Sequence, residues 1–276
     1  MKTWLITGAS SGLGRLMCEM LLARGDRVVA SMRKKAVLDE MAAKYGDLLQ
    51  VIVLDLSQSA TIKPTIEAAF SQAGRIDVVV SNAAYGLFGA AEELSDAQIE
   101  RQIATNLTGS IQLIRAAIPL LREQGGGRIV QVSSEGGQIA YPDFSLYHAT
   151  KWGVEGFVEA VRQEVAAFGI DFLLVEPGPT ATQFGAGLDI ADALPAYRDT
   201  PAGRLRAALL AGEFAIKGDA QKCVAAMIAA ADAASPPLRL PLGSTAYENI
   251  NAALETRLEA LQEMKAVAYS ADREQK

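Results

Sequence analysis

Tyr147 and Lys151 stand four residues apart, so on a helix they share one face. That pairing suits proton transfer. A free phenol, with a pKa of about 10, exchanges protons poorly at neutral pH, and a nearby ammonium stabilises the phenolate. Ser134 lies 13 residues before Tyr147 and closes a predicted strand, at the rim where α/β sheets bind ligands. His148 is the one histidine. It sits about 100° round the helix from Tyr147, off the shared face. It reads as a packing or surface residue, with substrate contact as the other reading. A Ser-His-Asp hydrolase would depend on it alone. With one His and two Cys, Cys18 and Cys223, zinc sites built from four cysteines or several histidines are excluded, and no metal is expected.

A second constellation is Thr7-Gly8-Ala9-Ser10-Ser11-Gly12-Leu13-Gly14, which follows the first predicted strand and opens the first helix. Glycines let the backbone turn tightly and approach a pyrophosphate, and the helix N-terminus offers free N–H groups. NAD sites usually carry an acid about 20 residues further on. Here the second strand ends Ser31-Met32-Arg33-Lys34, and the next acid is Asp39. Arg33 suits a 2′-phosphate, which favours NADP(H) over NAD(H). The bland alternative is a solvated Arg33–Lys34 pair. Asp55, at the end of the third strand, is placed either to bind an adenine amino group or to cap a turn.

The elements that must position these residues alternate in type. Strand-like runs fall at Thr3–Thr7, Arg27–Ser31, Leu49–Leu54, Ile76–Ser81, Arg128–Ser133 and Ile170–Val175. Several are nearly continuous Val, Ile and Leu, as in strands buried on both faces of a parallel sheet. Helices are predicted at 12–24, 35–45, 59–73, 95–123 and 147–168, with a capping box at Ser95-Asp96-Ala97-Gln98. Repeated βα units imply a doubly wound α/β sheet. After Pro177 the pattern loosens. Residues 183–217 read as a substrate loop or lid. Beyond them come a helix at 219–233, a strand near Leu238–Leu240 and a last amphipathic helix at 244–267.

The chain of 276 residues carries a net charge of −6 and is 50% hydrophobic. It can bury a large core, and without a basic block it suits neither nucleic acid nor an anionic membrane. No apolar run is long enough to span a bilayer, and the start lacks a signal-peptide core. The expectation is a cytoplasmic protein forming one domain, 1–276, with a cofactor and catalytic core at 1–182, the lid at 183–217 and closing elements at 218–276.

Together, Thr7–Gly14, Ser81-Asn82-Ala83-Ala84-Tyr85-Gly86, Asn106, Ser134, Tyr147-His148-Ala149-Thr150-Lys151 and Pro177-Gly178 resemble the short-chain dehydrogenase/reductase family over about residues 3–182. The resemblance implies a single-domain Rossmann fold, with a seven-stranded parallel sheet in the order 3-2-1-4-5-6-7. It implies that Tyr147 is the general acid/base and that Lys151 holds the nicotinamide ribose and lowers the Tyr147 pKa. Ser134 would orient the reacting oxygen, and Asn106 would support a proton-relaying water. The implied cofactor set is Gly8, Ser10, Ser11, Gly12, Leu13, Gly14, Arg33, Asp55, Leu56, Asn82, Ala83, Ala84, Tyr147, Lys151, Pro177, Gly178, Thr180 and Thr182. Ala84 departs from the pattern, since many members carry glycine there.

The function implied is an NAD(P)-dependent oxidoreductase, NADPH-preferring, that interconverts a small-molecule carbonyl and a secondary alcohol. A regulatory or redox-sensing protein that binds NADP without turnover is the alternative. Glu135, Gln138, Tyr141 and Phe184 are the candidate substrate contacts, with ordinary loop packing as the competing reading. Family precedent implies a homo-oligomer, dimer or tetramer, built on the helices at 95–123 and 147–168. Ala149, Gly153, Gly156 and Ala160 suit close helix packing, within the chain or between chains.

Overall fold

The computed structural model describes residues 1–273. Its strands are β1 (Thr3–Thr7), β2 (Arg27–Met32), β3 (Leu49–Val53), β4 (Val78–Ser81), β5 (Leu87–Phe88), β6 (Gly127–Val132), β7 (Ile170–Pro177), β8 (Asp189–Ile190) and β9 (Arg239–Leu242). Seven of them form one parallel sheet in the order β3-β2-β1-β4-β6-β7-β9. With the short pair β5–β8 set aside, that is the expected order, 3-2-1-4-5-6-7.

The helices are α1 (Gly12–Ala23), α2 (Asp39–Tyr45), α3 (Ser59–Ala73), α4 (Asp96–Gln102), α5 (Gly109–Glu123), α6 (Ser145–Val165), α7 (Pro201–Leu210), α8 (Ala220–Asp232), α9 (Ser244–Glu263) and α10 (Lys265–Ser270). Side chains alternate across a strand, so the sheet builds two cores. Trp4, Ile6, Val28, Val80, Val130 and Val175 pack on one face against Met17 and Leu21 of α1 and Val224 and Met227 of α8. Leu5, Val29, Val79, Ile129 and Leu174 pack on the other against Ile66 of α3, Leu113 of α5 and Val158 and Val161 of α6. Cys18 and Cys223 are buried free thiols, and Cys18 belongs to the first of these cores.

Three predicted features take a different form. The helix expected at 95–123 starts with the predicted capping box, where Gln98 N donates to Ser95 Oγ at 3.4 Å. It is then interrupted by a π-helical turn at Ile103–Thr108, of the kind often found at functional sites. The second segment begins as a 3₁₀ turn, Lys35–Leu38, before α2. The region 183–217 is more ordered than a loop. It contains β8, α7 and two 3₁₀ turns. Polar contacts fasten it to the segment after β5: Gln98 Nε2 to Asp189 at 2.9 Å, Leu194 N to Glu93 Oε1 at 2.8 Å and Tyr197 Oη to Glu92 at 2.9 Å. Gly153 packs within the chain, where an added Cβ would lie 3.1 Å from Leu107, whereas Gly156 faces open space. Among the described residues no helix is long and apolar enough to cross a membrane.

Candidate active site

The carboxyl ends of β1, β4, β6 and β7 gather the predicted residues on one edge of the sheet: Gly8, Asn82, Ser134 and Pro177 each lie at or just past a strand end. β1 pairs with β2 on one side and β4 on the other, so the chain reverses its winding direction there. This is the position at which doubly wound sheets bind ligands.

At the β1 end, Gly8 and Gly12 have φ of +69° and +55°, which glycine adopts without strain. Gly14 has no room for a side chain: a Cβ would lie 2.5 Å from both Asn82 Nδ2 and the Gly8 carbonyl. Ser11 is exposed, its side chain does not cap α1, and the first turn of α1 holds no acid. The amide groups of that turn are thus available to an anion. Thr7 and Asn82 hold the turn in shape. Asn82 N and Ala83 N donate to Thr7 Oγ1 at 2.9 and 3.1 Å, and Asn82 Nδ2 donates to the Thr7 carbonyl at 2.8 Å. Thr182 reaches across to Gly12. Thr180 Oγ1 donates to the Gly178 carbonyl at 2.9 Å. Arg33 is exposed just past β2. Asp55 accepts from Ser57 N and Oγ at 2.9 and 2.8 Å, so its turn-capping role is realised. Leu56 is buried beside it, while Ser10 and Ala84 are half-buried.

The residues expected to carry acid–base chemistry lie close together. Tyr147 and Lys151 both lie on α6 and are buried, with Lys151 Nζ 5.6 Å from the Tyr147 ring centre. Lys151 Nζ donates to the Val132 carbonyl at 2.9 Å. Ser134 leaves β6 in extended conformation, and its Oγ accepts from Gly136 N at 3.1 Å. Burial pushes the Tyr147 phenol up to about 12, while hydrogen bonding from Ser134 pulls it back and the Glu135 charge adds to the rise. Burial pulls Lys151 down to about 8, and the Glu155 charge opposes this. Lys151 was expected to lower the Tyr147 pKa. The rise comes from the enclosure of the phenol among Phe88, Phe144 and Phe184.

Asn106 sits in the π-helical turn, and its side chain grips one residue. Nδ2 donates to the Tyr85 carbonyl at 2.8 Å, and Oδ1 accepts from Tyr85 N at 3.2 Å. His148 packs edge-on against Tyr141, and its Nδ1 accepts from Tyr141 N at 3.4 Å. Burial lowers its pKa to about 4, so it is neutral. The packing reading of His148 is the one realised. Of the substrate candidates, Phe184 lies over Tyr147 with ring centres 5.6 Å apart. Tyr141 meets Phe144. Glu135 is buried and accepts from Asn249 Nδ2 at 3.1 Å, and Gln138 donates to Glu176 at 2.9 Å. Gln138 is half-buried, and its amide bridges the turn after Ser134 to the end of β7.

Known proteins fit this geometry. A model of the short chain dehydrogenase family matches residues 2–192. The chain belongs to the short-chain dehydrogenase family of oxidoreductases. It is 34% identical over 256 residues to an oxidoreductase of Botryotinia fuckeliana, BOA17, covering 92% of this chain and 93% of that one. It is 29% identical to the NADPH-dependent 3-dehydrocapnine reductase of Ornithobacterium rhinotracheale, over 76% of this chain and 75% of the relative. A short-chain dehydrogenase structure from Streptomyces avermitilis superimposes with a TM-score of 0.90 at 36% identity, covering 98% of both chains.

Several residues around this candidate site of the short-chain dehydrogenase were not singled out from the sequence. Thr7 was quoted only as part of the turn. Ser133, Glu155 and Glu176, which are buried, form a cluster with the half-buried Arg239 one helical turn beyond Lys151. Asn249 reaches Glu135 from α9, more than 100 residues downstream. Two signals were available: Glu155 repeats the four-residue step from Lys151, and Glu176 is a lone acid between the apolar run Phe172–Val175 and Pro177.

Proposed function

We propose that the protein is an NADP(H)-dependent oxidoreductase that interconverts a carbonyl and a secondary alcohol, with Tyr147 as general acid/base. The observation that carries this reading is the convergence of Ser134, Tyr147 and Lys151 at the sheet edge, beside an uncapped helix N-terminus where Gly8 and Gly14 leave no room for a side chain. The turn fits a dinucleotide on its own chemistry: Gly8, Ser10, Ser11, Gly12, Leu13 and Gly14 offer amides and hydroxyls to a pyrophosphate. Asp55, Leu56, Asn82, Ala83 and Ala84 would flank the adenosine, and Pro177, Gly178, Thr180 and Thr182 the nicotinamide. Arg33 would meet a 2′-phosphate. Its exposure, the absence of an acid at the end of β2 and an NADPH-dependent relative support that preference.

Bound there, the dinucleotide supplies or accepts a hydride. The residues of the chain handle the proton and the geometry. Tyr147 donates its phenolic proton to the carbonyl oxygen in reduction and takes it back in oxidation. Ser134 holds that oxygen. Lys151 keeps an ammonium beside the phenolate that forms, and Asn106 supports a water that returns the proton. Tyr141, Phe184 and Glu135 line the substrate side, and 183–217 closes over it. A cytoplasmic homo-oligomer completes the reading.

A panel of aldehydes, ketones and alcohols assayed with NADPH and NADH tests it. Turnover with at least one carbonyl, faster with NADPH and lost in Tyr147→Phe, is the expected result. NADP binding without turnover across the panel would instead favour a regulatory, redox-sensing role.

A further inference from the structure

Beneath the Tyr147–Lys151 pair lies a charged cluster that the proton chemistry above leaves unused. Glu155 is one helical turn beyond Lys151 and 2% exposed. Ser133, the residue before Ser134, donates its hydroxyl to Glu155 Oε1 at 2.5 Å. Gly137, in the turn after Ser134, packs on the same carboxylate so closely that a Cβ would lie 1.8 Å from Oε1. Arg239 of β9 pairs with Glu155 and also with Glu159 and Glu176. Glu176, just before Pro177, accepts from Gln138. One carboxylate is thus bonded to the strand end that presents Ser134 and packed on the turn that follows it. Through Arg239 it also reaches the strand end that precedes Pro177.

We infer that Glu155 is a positioning residue for the reaction: it clamps the Ser134 turn to the helix that carries Tyr147 and Lys151, and fixes a negative charge one turn from the Lys151 ammonium. This rests on the proposed acid–base roles. Lys151 is buried with Tyr147 on its own helix, and β6 offers it the Val132 carbonyl. Burial works against its charge, and Glu155 is the acid that opposes this. The charged group bonded to Glu155 is Arg239 from β9, which also pairs with Glu159 on α6 and Glu176 from β7. Even with Glu176 protonated, one cation between the Glu155 and Glu159 carboxylates leaves the cluster net negative, so Arg239 does not cancel the field at Lys151.

Glu155→Gln tests this. It keeps the side-chain volume and an acceptor for Ser133, and it leaves Arg239 paired with Glu159 and Glu176. Two readouts apply: the pH profile of kcat for carbonyl reduction, and the titration of the Lys151 Nζ resonance by ¹⁵N NMR, assigned by its loss in Lys151→Met. Both the resonance and the alkaline limb should move to lower pH by roughly half a unit to one unit. The kcat at pH 8 should fall several-fold with substrate KM little changed, and Glu155→Asp should restore most of the profile. An unmoved titration and profile overturns the inference, including the case where activity falls only in step with thermal stability. Tyr147→Phe in the same assay separates the two readings. If that variant stays active, the acid–base reading fails whatever Glu155 does. If it is inactive and Glu155→Gln is unmoved, only the role of Glu155 falls.

Discussion

Glu176→Gln should stabilise the protein above neutral pH, even though Glu176 pairs with Arg239. Glu176 is 0% exposed, and its Oε2 has no hydrogen-bond partner among the described residues. Burial and the neighbouring Glu155 charge raise its pKa from 4.5 to about 7, while Arg239 and Gln138 act in the opposite sense. Arg239 shows the other side of the same cluster. Burial disfavours its charge, but hydrogen bonds to Glu155 and Glu159 and the carboxylate charges push its pKa upward. The two partners differ because one guanidinium serves three acids, so the most deeply buried acid is left undercompensated.

A rise from 4.5 to about 7 corresponds to about 3 kcal/mol. The folded state holds the Glu176 proton more tightly than the unfolded chain does. The resulting stabilisation is full below about pH 4.5 and is lost as pH rises through about 7. Wild-type unfolding free energy should therefore fall by up to about 3 kcal/mol from this group between pH 5 and 8. A glutamine carries no charge to desolvate, so Glu176→Gln should flatten that decline. Arg239 keeps Glu155 and Glu159 in the variant, and some hydrogen-bond energy is lost. A net gain of about 1–3 kcal/mol at pH 8 remains. Urea unfolding at pH 5, 6, 7 and 8 reads this directly. With a slope of about 3 kcal/mol per M, the midpoint at pH 8 should rise by about 0.3–1 M. A variant that is less stable by the same amount at pH 5 and pH 8 would refute the electrostatic reasoning.

Tyr147→Phe should lower kcat by roughly 10²–10⁴-fold while dinucleotide affinity, read by fluorescence titration, changes little. Arg33→Ala should reduce the preference for NADPH over NADH by roughly tenfold to a hundredfold, the loss of one charge-assisted contact; an unchanged ratio of dissociation constants removes Arg33 from the 2′-phosphate site. Gly14→Ala sets a methyl 2.5 Å from the Gly8 carbonyl and Asn82. It should abolish dinucleotide binding and lower thermal stability, and full binding in calorimetry would show that the turn is not the cradle.

Much of the fold could be read from local pattern because its signals are local. The apolar runs gave the strands of the large sheet, most of them within a residue or two, since strands buried on both faces tolerate little else. Gly25 and Gly169 each follow a helical segment as C-terminal caps do, with φ of +88° and +68°. The interruption at Ile103–Thr108 left no mark in the sequence. Its β-branched residues and Asn only weaken helix propensity, and the bonds that accompany the π turn join Asn106 to the Tyr85 backbone 21 residues away. The region 183–217 was read as loop because its glycines and prolines are strong breakers. β8 is two residues long and exists because Leu87 and Phe88 lie alongside to pair with it.

The sequence by itself determined the chemistry-bearing set: a glycine turn between strand and helix, a Tyr–Lys step of four and a serine at a strand end. Each depends on spacing within one element or across one turn, where backbone geometry fixes the outcome. Only the tertiary structure decided the electrical environment of that set. Tyr147 is enclosed by aromatic rings from three segments, and Glu155, Glu176 and Arg239 come from α6, β7 and β9. Desolvation and charge pairing act through space among residues up to 84 positions apart, and no short window of sequence holds them.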